Sequence, residues 1–250
     1  MSIDDILGLP KKHDDVKHIY PVKLHNSDEF YSCYHFLMLS IKHFGFDDED
    51  ESIKDIGLLR LLTLYYIKEY KVDEKIKEQF DKMAKLFSIV LHDDMNYIVH
   101  DNSLVFFNKN QDKIINNNNY EEIRKIIMEQ NLLFEEKIYK DPLVQKWARK
   151  ALEAKQKGNN ITDETMVTII SVISGKSYEE IANMTLYQYK AEFYRIMAIM
   201  NYETSVIFAT VAGSEGQMPH YTDDTDFNKN PYDGLFKKGG SLLDKLTGSV

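Results

Sequence analysis

The residues able to do chemistry are few and poorly spaced for it. Cys33 is the one cysteine. A nucleophilic thiol or hydroxyl needs a sharp turn with a histidine and an acid in support, but Cys33 lies inside a helical run of apolar residues, where a small buried role is expected, and no G-x-S-x-G elbow occurs. Gly175-Lys176-Ser177 matches only the last third of the phosphate-binding pattern G-x-x-x-x-G-K-[ST]. A helix stop followed by a capping residue accounts for all three. His13, His18, His25 and His35 show neither H-x-x-x-H nor H-E-x-x-H spacing, and the acidic run at 47–51 lacks the glycine and final glutamate of a calcium loop. His92-Asp93-Asp94 offers nitrogen and oxygen ligands at a helix end, with no third group near in sequence. The expectation is a non-enzymatic chain with no catalytic, cofactor-binding or metal-binding residues.

Composition narrows the partners. Among 250 residues, Lys+Arg 31 stand against Asp+Glu 40, a formal net charge of -9. This balance disfavours general nucleic-acid binding, which needs clustered Lys and Arg to neutralise phosphates. One cysteine cannot form an internal disulfide, and no run approaches the roughly 18 to 20 apolar residues of a membrane span. The start, Met1-Ser2-Ile3-Asp4-Asp5, is acidic where a signal peptide is basic, so an intracellular protein with no membrane association is expected. The asparagines at 116–119 suggest AT-rich coding and carry no chemistry of their own.

The elements that would position any site are mainly helical. Residues 1–25 read as a surface arm, with Pro10 and Pro21 bracketing a polar stretch and only residues 18–24 resembling a short strand. Residues 26–160 read as a helical domain. Asn26 opens a helix with stripe Phe30, Tyr34, Leu37, Met38 and Ile41, running to about Phe44. Ser52 opens a second, with Ile53, Ile56, Leu59, Leu62 and Tyr66 on one face, and Ile76, Phe80, Met83, Phe87 and Val90 mark a third. Residues 97–100 and 104–107 flank Asp101-Asn102-Ser103 as a β-hairpin, the one sheet expected. Asn119 begins a capping box before Ile123, Ile126 and Ile127. Asp141-Pro142 opens a helix burying Val144, Trp147, Ala148 and Ala151, and Gly158-Asn159-Asn160 closes it.

Residues 161–212 form a C-terminal helical hairpin. Thr162-Asp163-Glu164 starts a helix that Gly175 stops. Ser177-Tyr178-Glu179-Glu180 is a capping box for a short helix, and Thr185 caps a long one. Its stripe of Leu186, Tyr189, Phe193, Ile196, Met197, Met200, Ile207, Phe208 and Val211 spans some seven turns, well above the usual three. Packing on the helix before it is the simplest use of that face; self-association is another. The outline of residues 177–200 is that of a helix-turn-helix, yet Leu186-Tyr187-Gln188-Tyr189-Lys190 offers mainly aromatic surface at the reading end. Six of the 11 glycines, with Pro219 and Pro231, fall after residue 212, so residues 213–250 read as a flexible tail. The fold class is mainly α, with one small β-hairpin, a C-terminal helical hairpin and a flexible tail.

Three stretches carry a resemblance: NYEEIRKIIMEQN (119–131), YKDPLVQKW (139–147) and GKSYEEIANMTLYQYKAEFYRIMAIMNY (175–202), with Asn230-Pro231-Tyr232-Asp233-Gly234-Leu235-Phe236 beyond them. Together they are similar to tail morphogenesis proteins, and in particular tail assembly chaperones, of phages infecting AT-rich Gram-positive bacteria. Residues 1–118 lie outside the resemblance. It implies a non-enzymatic protein of the host cell cytoplasm that binds tape-measure or tail-tube proteins during assembly and is absent from the finished virion. It also implies a frameshifted longer form, for which Lys237-Lys238 would supply the slippery run. Tyr189, Phe193, Met197, Met200, Tyr232, Leu235 and Phe236 are the candidate partner contacts, since Met- and Tyr-rich faces adapt to different partners. The alternatives are a structural virion protein of the tail or connector and a helix-turn-helix regulator.

Overall fold

The computed structural model describes residues 3–46, 56–70, 72–139, 141–157, 161–213 and 220–222. The acidic run at 47–51, the start at Ser52, the closure at Gly158 and the candidates Tyr232, Leu235 and Phe236, with Lys237-Lys238, lie outside them. The fold is mainly α with two small sheets.

The arm is the first departure from expectation. After α1 (Ile3–Leu7), β1 (Lys11–His13) and β2 (Lys17–Ile19) form a second hairpin, and Val16, Ile19 and Val22 are buried in the main core. Tyr20 N donates to Val90 O (2.8 Å), Val22 N to Asn131 Oδ1 (2.8 Å) and Ile114 N to Asp15 O (3.2 Å). Three apolar residues spaced by three insert into the body while Lys17 and Lys23 beside them stay exposed.

The segment expected as one helix to Phe44 is broken. α2 (Ser27–Cys33) passes into a 3-10 turn at Tyr34–Met38, an extended Leu39-Ser40 and a second 3-10 turn at Ile41–Phe44. Ser40 explains the break, because its N–H donates to His43 Nδ1 (3.0 Å), a local bond that competes with the helix ladder. The 3-10 turn sets Phe36 edge-on to Phe87 at 5.7 Å. Cys33 is buried and free.

α3 (Leu58–Glu69) and α4 (Asp73–Leu91) follow, with the stripes expected: Leu59, Leu62 and Tyr66, then Phe80, Met83, Phe87 and Val90, are buried. Both lie under a three-stranded sheet, β3 (Met95–His100), β4 (Ser103–Asn108) and β5 (Ile114–Ile115), in the order β3-β4-β5. Asp101 and Asn102, at φ 50° and 59°, both occupy the left-handed region that a two-residue type I′ turn demands. Thr63 Oγ1 donates to Leu59 O (2.8 Å) and accepts from Leu104 N (3.2 Å), joining helix to sheet inside the core.

The asparagine run does structural work that composition could not reveal. Asn117 Oδ1 accepts from Arg60 N (3.1 Å) and its amide donates to Ile56 O (2.7 Å), so a distant loop caps α3, whose own Gly57 (φ 73°) has no side chain. Asn119 was expected to cap α5 (Tyr120–Gln130) but makes no cap bond. Its amide donates instead to Asp15 Oδ2 (2.8 Å) and Ile114 O (2.9 Å), holding the arm. Asn26 likewise makes no cap bond to α2. Arg124 on α5 is fully buried, donating from Nε to Leu37 O (2.7 Å) and from Nη1 to Glu135 (2.5 Å).

In α6 (Pro142–Lys157), Asp141 Oδ1 accepts from Leu143 N (2.7 Å) as the sequence implied. The buried face is narrower than expected. Ala148 is buried, but Trp147 is exposed, with the Lys150 ammonium 5.7 Å from its ring centroid. Then come α7 (Asp163–Ser174), the short α8 (Tyr178–Ala182) and α9 (Leu186–Ala212). Among the described residues, no helix is long and apolar enough to cross a membrane, and no cluster of three or more metal-ligating side chains forms.

Candidate protein-interaction surface

α9 begins where the sequence placed it. Thr185 Oγ1 accepts from Gln188 N (3.1 Å), and Gln188 Oε1 accepts from Thr185 N (2.9 Å), a complete capping box. The arm clasps this start. Leu186 N donates to Val22 O (2.9 Å), Leu24 N to Met184 O (2.8 Å), and Gln188 Nε2 to Ile6 O (2.8 Å). The root of the helix is therefore fixed to the body.

Its first half is covered. Tyr189, Phe193 and Ile196 form a second small core with Ile170 of α7 and Ile181 of α8. Tyr189 donates its hydroxyl to Asp163 O (3.1 Å) and Oδ1 (3.2 Å), and burial, then the Asp163 charge, pushes its pKa up. Burial also pulls the Lys190 ammonium down, with Asp163 opposing. Lys176 and Glu192 close the junction with an ion pair at 2.5 Å.

The apolar stripe of the second half is exposed. Met200, Thr204, Ile207, Phe208 and Val211 fall within about 100° of arc, on the side that Phe193 and Met197 present earlier. Met200 is 44% exposed, Ile207 64%, Phe208 70% and Val211 83%. Thr204 and Thr210 donate their hydroxyls to Met200 O and Val206 O (2.8 Å each), so neither binds outward. Glu203 is the single charge between Ile196 and Ala212. After Gly213 (φ 63°) the chain returns: Tyr202 packs against the rings of His220 and Tyr221, and Arg195 donates to Tyr221 O. Arg195 and Tyr202 lie roughly 180° around the helix from the apolar stripe, so residues 220–222 do not cover it.

The expected contacts are thus divided. Tyr189 and Phe193 are core, so neither meets a partner without opening the second core; Met197 is half-buried and Met200 exposed. Ile207, Phe208 and Val211 were part of the stripe but not among the contacts named. The signal was present in lengths alone, because a 12-residue α7 spans roughly 18 Å and cannot cover a 27-residue α9 of about 40 Å.

Two comparisons with known proteins gave matches, one of them placed on this region. A family model described as the YomV second domain matches residues 155–226, which include α7, α8 and α9. The SPbeta prophage-derived uncharacterized protein YomV of Bacillus subtilis (strain 168) is 30% identical over 169 residues, covering 64% of this chain and 71% of that protein. No solved structure matches.

Proposed function

The chain belongs to the YomV family, and on that footing we propose that it is a phage tail assembly chaperone, non-enzymatic, which holds a tape-measure or tail-tube protein through the exposed apolar stripe of α9. The observation that carries this reading is one apolar stripe covered to Ile196 and open from Met200 to Val211. Exposed apolar faces of this kind, unbroken by charge, fit the groove or amphipathic face of a helical partner. The prophage origin of the relative supports a phage setting. Leu186, Tyr187 and Tyr189, the end that a recognition helix would lay into a major groove, are buried, which favours a protein partner over DNA.

The test is capture of tail proteins by the tagged chain during prophage induction, followed by titration with the purified partner. Phe208→Asp should weaken binding by about 30-fold, a loss of about 2 kcal/mol, while the melting temperature is unchanged. Mature particles should lack the protein. Its presence in particles at fixed copy number would replace this reading with the structural one, and full binding by Phe208→Asp would move the site elsewhere.

A further inference from the structure

Among the described residues, no strand pairs with the outer edge of the three-stranded sheet. A type I′ turn makes His100 and Ser103 a hydrogen-bonded pair, so residues 95, 97 and 99 of β3 turn their N–H and C=O groups away from β4. Three bonds agree with that alternation. Met95 N donates to Ser88 Oγ (2.9 Å), and on the far side of β4, Leu104 N donates to Thr63 Oγ1 (3.2 Å) and Asn108 N to Lys113 O (3.3 Å). Tyr97 and Val99 take no backbone hydrogen bond on their outer side among the described residues.

Natural edges are blunted by charge, proline, bulges or cover. Residues 95–100 (MNYIVH) contain no Lys, Arg, Asp, Glu or Pro, and their register with β4 runs through six pairs without a bulge. Ile98 and Val99 are 50% and 49% exposed. The strand is flanked by a groove of about 540 Å³ against α4, lined by Lys77, Asp81, Lys85, Asp94, Asn96 and Tyr97.

The geometry points to a second copy of this chain as the occupant, with two β3 edges pairing antiparallel about a two-fold axis at Ile98. Tyr97 then opposes the partner's Val99 and Val99 the partner's Tyr97, forming four backbone hydrogen bonds from the four groups left open on each copy. Met95 N, already bonded to Ser88, is not required. Ile98 meets the partner's Ile98 as a non-hydrogen-bonded pair, where side chains approach most closely. Asp94 faces the partner's Asn102 and Asp101 the partner's Met95, so no two acids oppose each other although the chain carries a net charge of -9. The pairing is independent of the α9 face, which lies in the other part of the molecule.

Sedimentation of the full chain across a concentration series tests it. The wild type should form a dimer, and Val99→Pro and Val99→Lys should weaken it by at least roughly tenfold, with far-UV circular dichroism unchanged. Proline is tolerated at an edge position whose N–H faces outward, and lysine puts a charge on the seam without altering the ladder to β4. If Val99→Pro fails to fold, Val99→Lys decides. Hydrogen exchange should show the Tyr97 and Val99 amides slowed in the wild type and fast in Val99→Lys. Phe208→Asp should leave the dimer intact. A wild type that stays monomeric at every concentration overturns the pairing, as does a dimer that survives both Val99 variants or is lost in Phe208→Asp.

Discussion

The body and the C-terminal helices use the same apolar spacing to different ends. In the body, the arm, α2 to α5 and the sheet converge from several sides on one core, in which Phe87 meets Phe106 at 4.8 Å and Phe36 at 5.7 Å. In the C-terminal helices, five buried residues, Ile170, Ile181, Tyr189, Phe193 and Ile196, join one long helix to two shorter ones, and the long helix outruns them. Their helix starts differ as well. α7, α8 and α9 are capped by their own Thr162, Ser177 and Thr185, whereas α2, α3, α4 and α5 have no side-chain cap bond from the preceding residue. A helix with a complete local start needs less from its neighbours, so it can project an uncovered face.

The sharpest way to break that contrast is to truncate one phenylalanine in each region. Phe87→Ala should cost about 3–5 kcal/mol in urea unfolding, because it empties a fully enclosed site. Phe208→Ala should stay within about 0.5 kcal/mol. A comparable loss at Phe208 would mean that something covers the distal stripe after all. Next in size comes a pair of threonines. Thr63→Val leaves the Leu104 N–H buried without its acceptor, an expected loss of about 1–3 kcal/mol. Thr185→Ala removes a local cap, at about 1 kcal/mol. Were Thr185 the costlier, the root of α9 would be held less by the arm than its hydrogen bonds imply.

The same contrast governs what could be read from the sequence. Gly175, Ser177 and Thr185 announced three helix boundaries correctly, because stops and caps are local and their partners lie within four residues. The hairpin was legible for the same reason, although β3 begins two residues earlier, β4 runs one residue further at each end, and Ser103, read as part of the turn, belongs to β4. What failed was long-range. Asn119 has the chemistry of a cap but serves Asp15, 104 residues away, and Asn117 caps a helix that begins 59 residues before it. Val16, Ile19 and Val22 were hidden among lysines, and Arg124 gave no hint of burial. At the candidate surface, Met200 was identified from type and phase, whereas Tyr189 and Phe193 share that phase and are buried. Phase alone does not say where a partner helix ends.

The smallest expected effect separates the two regions by pH. Burial holds His43 and His92, both in the body, below the ordinary histidine range; nearby Glu136 opposes this at His43, and Lys23 and Lys113 reinforce it at His92. No histidine lies between residues 161 and 213. As pH falls through about 6.5 the unfolded chain takes up these protons before the folded one, so the unfolded state binds more protons and stability must drop until the lower folded values are passed. The body should therefore lose stability between neutral pH and the folded histidine values, by less than Thr185→Ala costs, while the α7–α9 contacts keep theirs over that window. Melting curves read through tertiary signals of the body check this in wild type and in a His43→Gln, His92→Asn variant. Asn suits position 92, whose backbone is left-handed at φ 50°. The double variant should flatten the decline; an unchanged slope would assign the proton uptake to groups other than these two histidines.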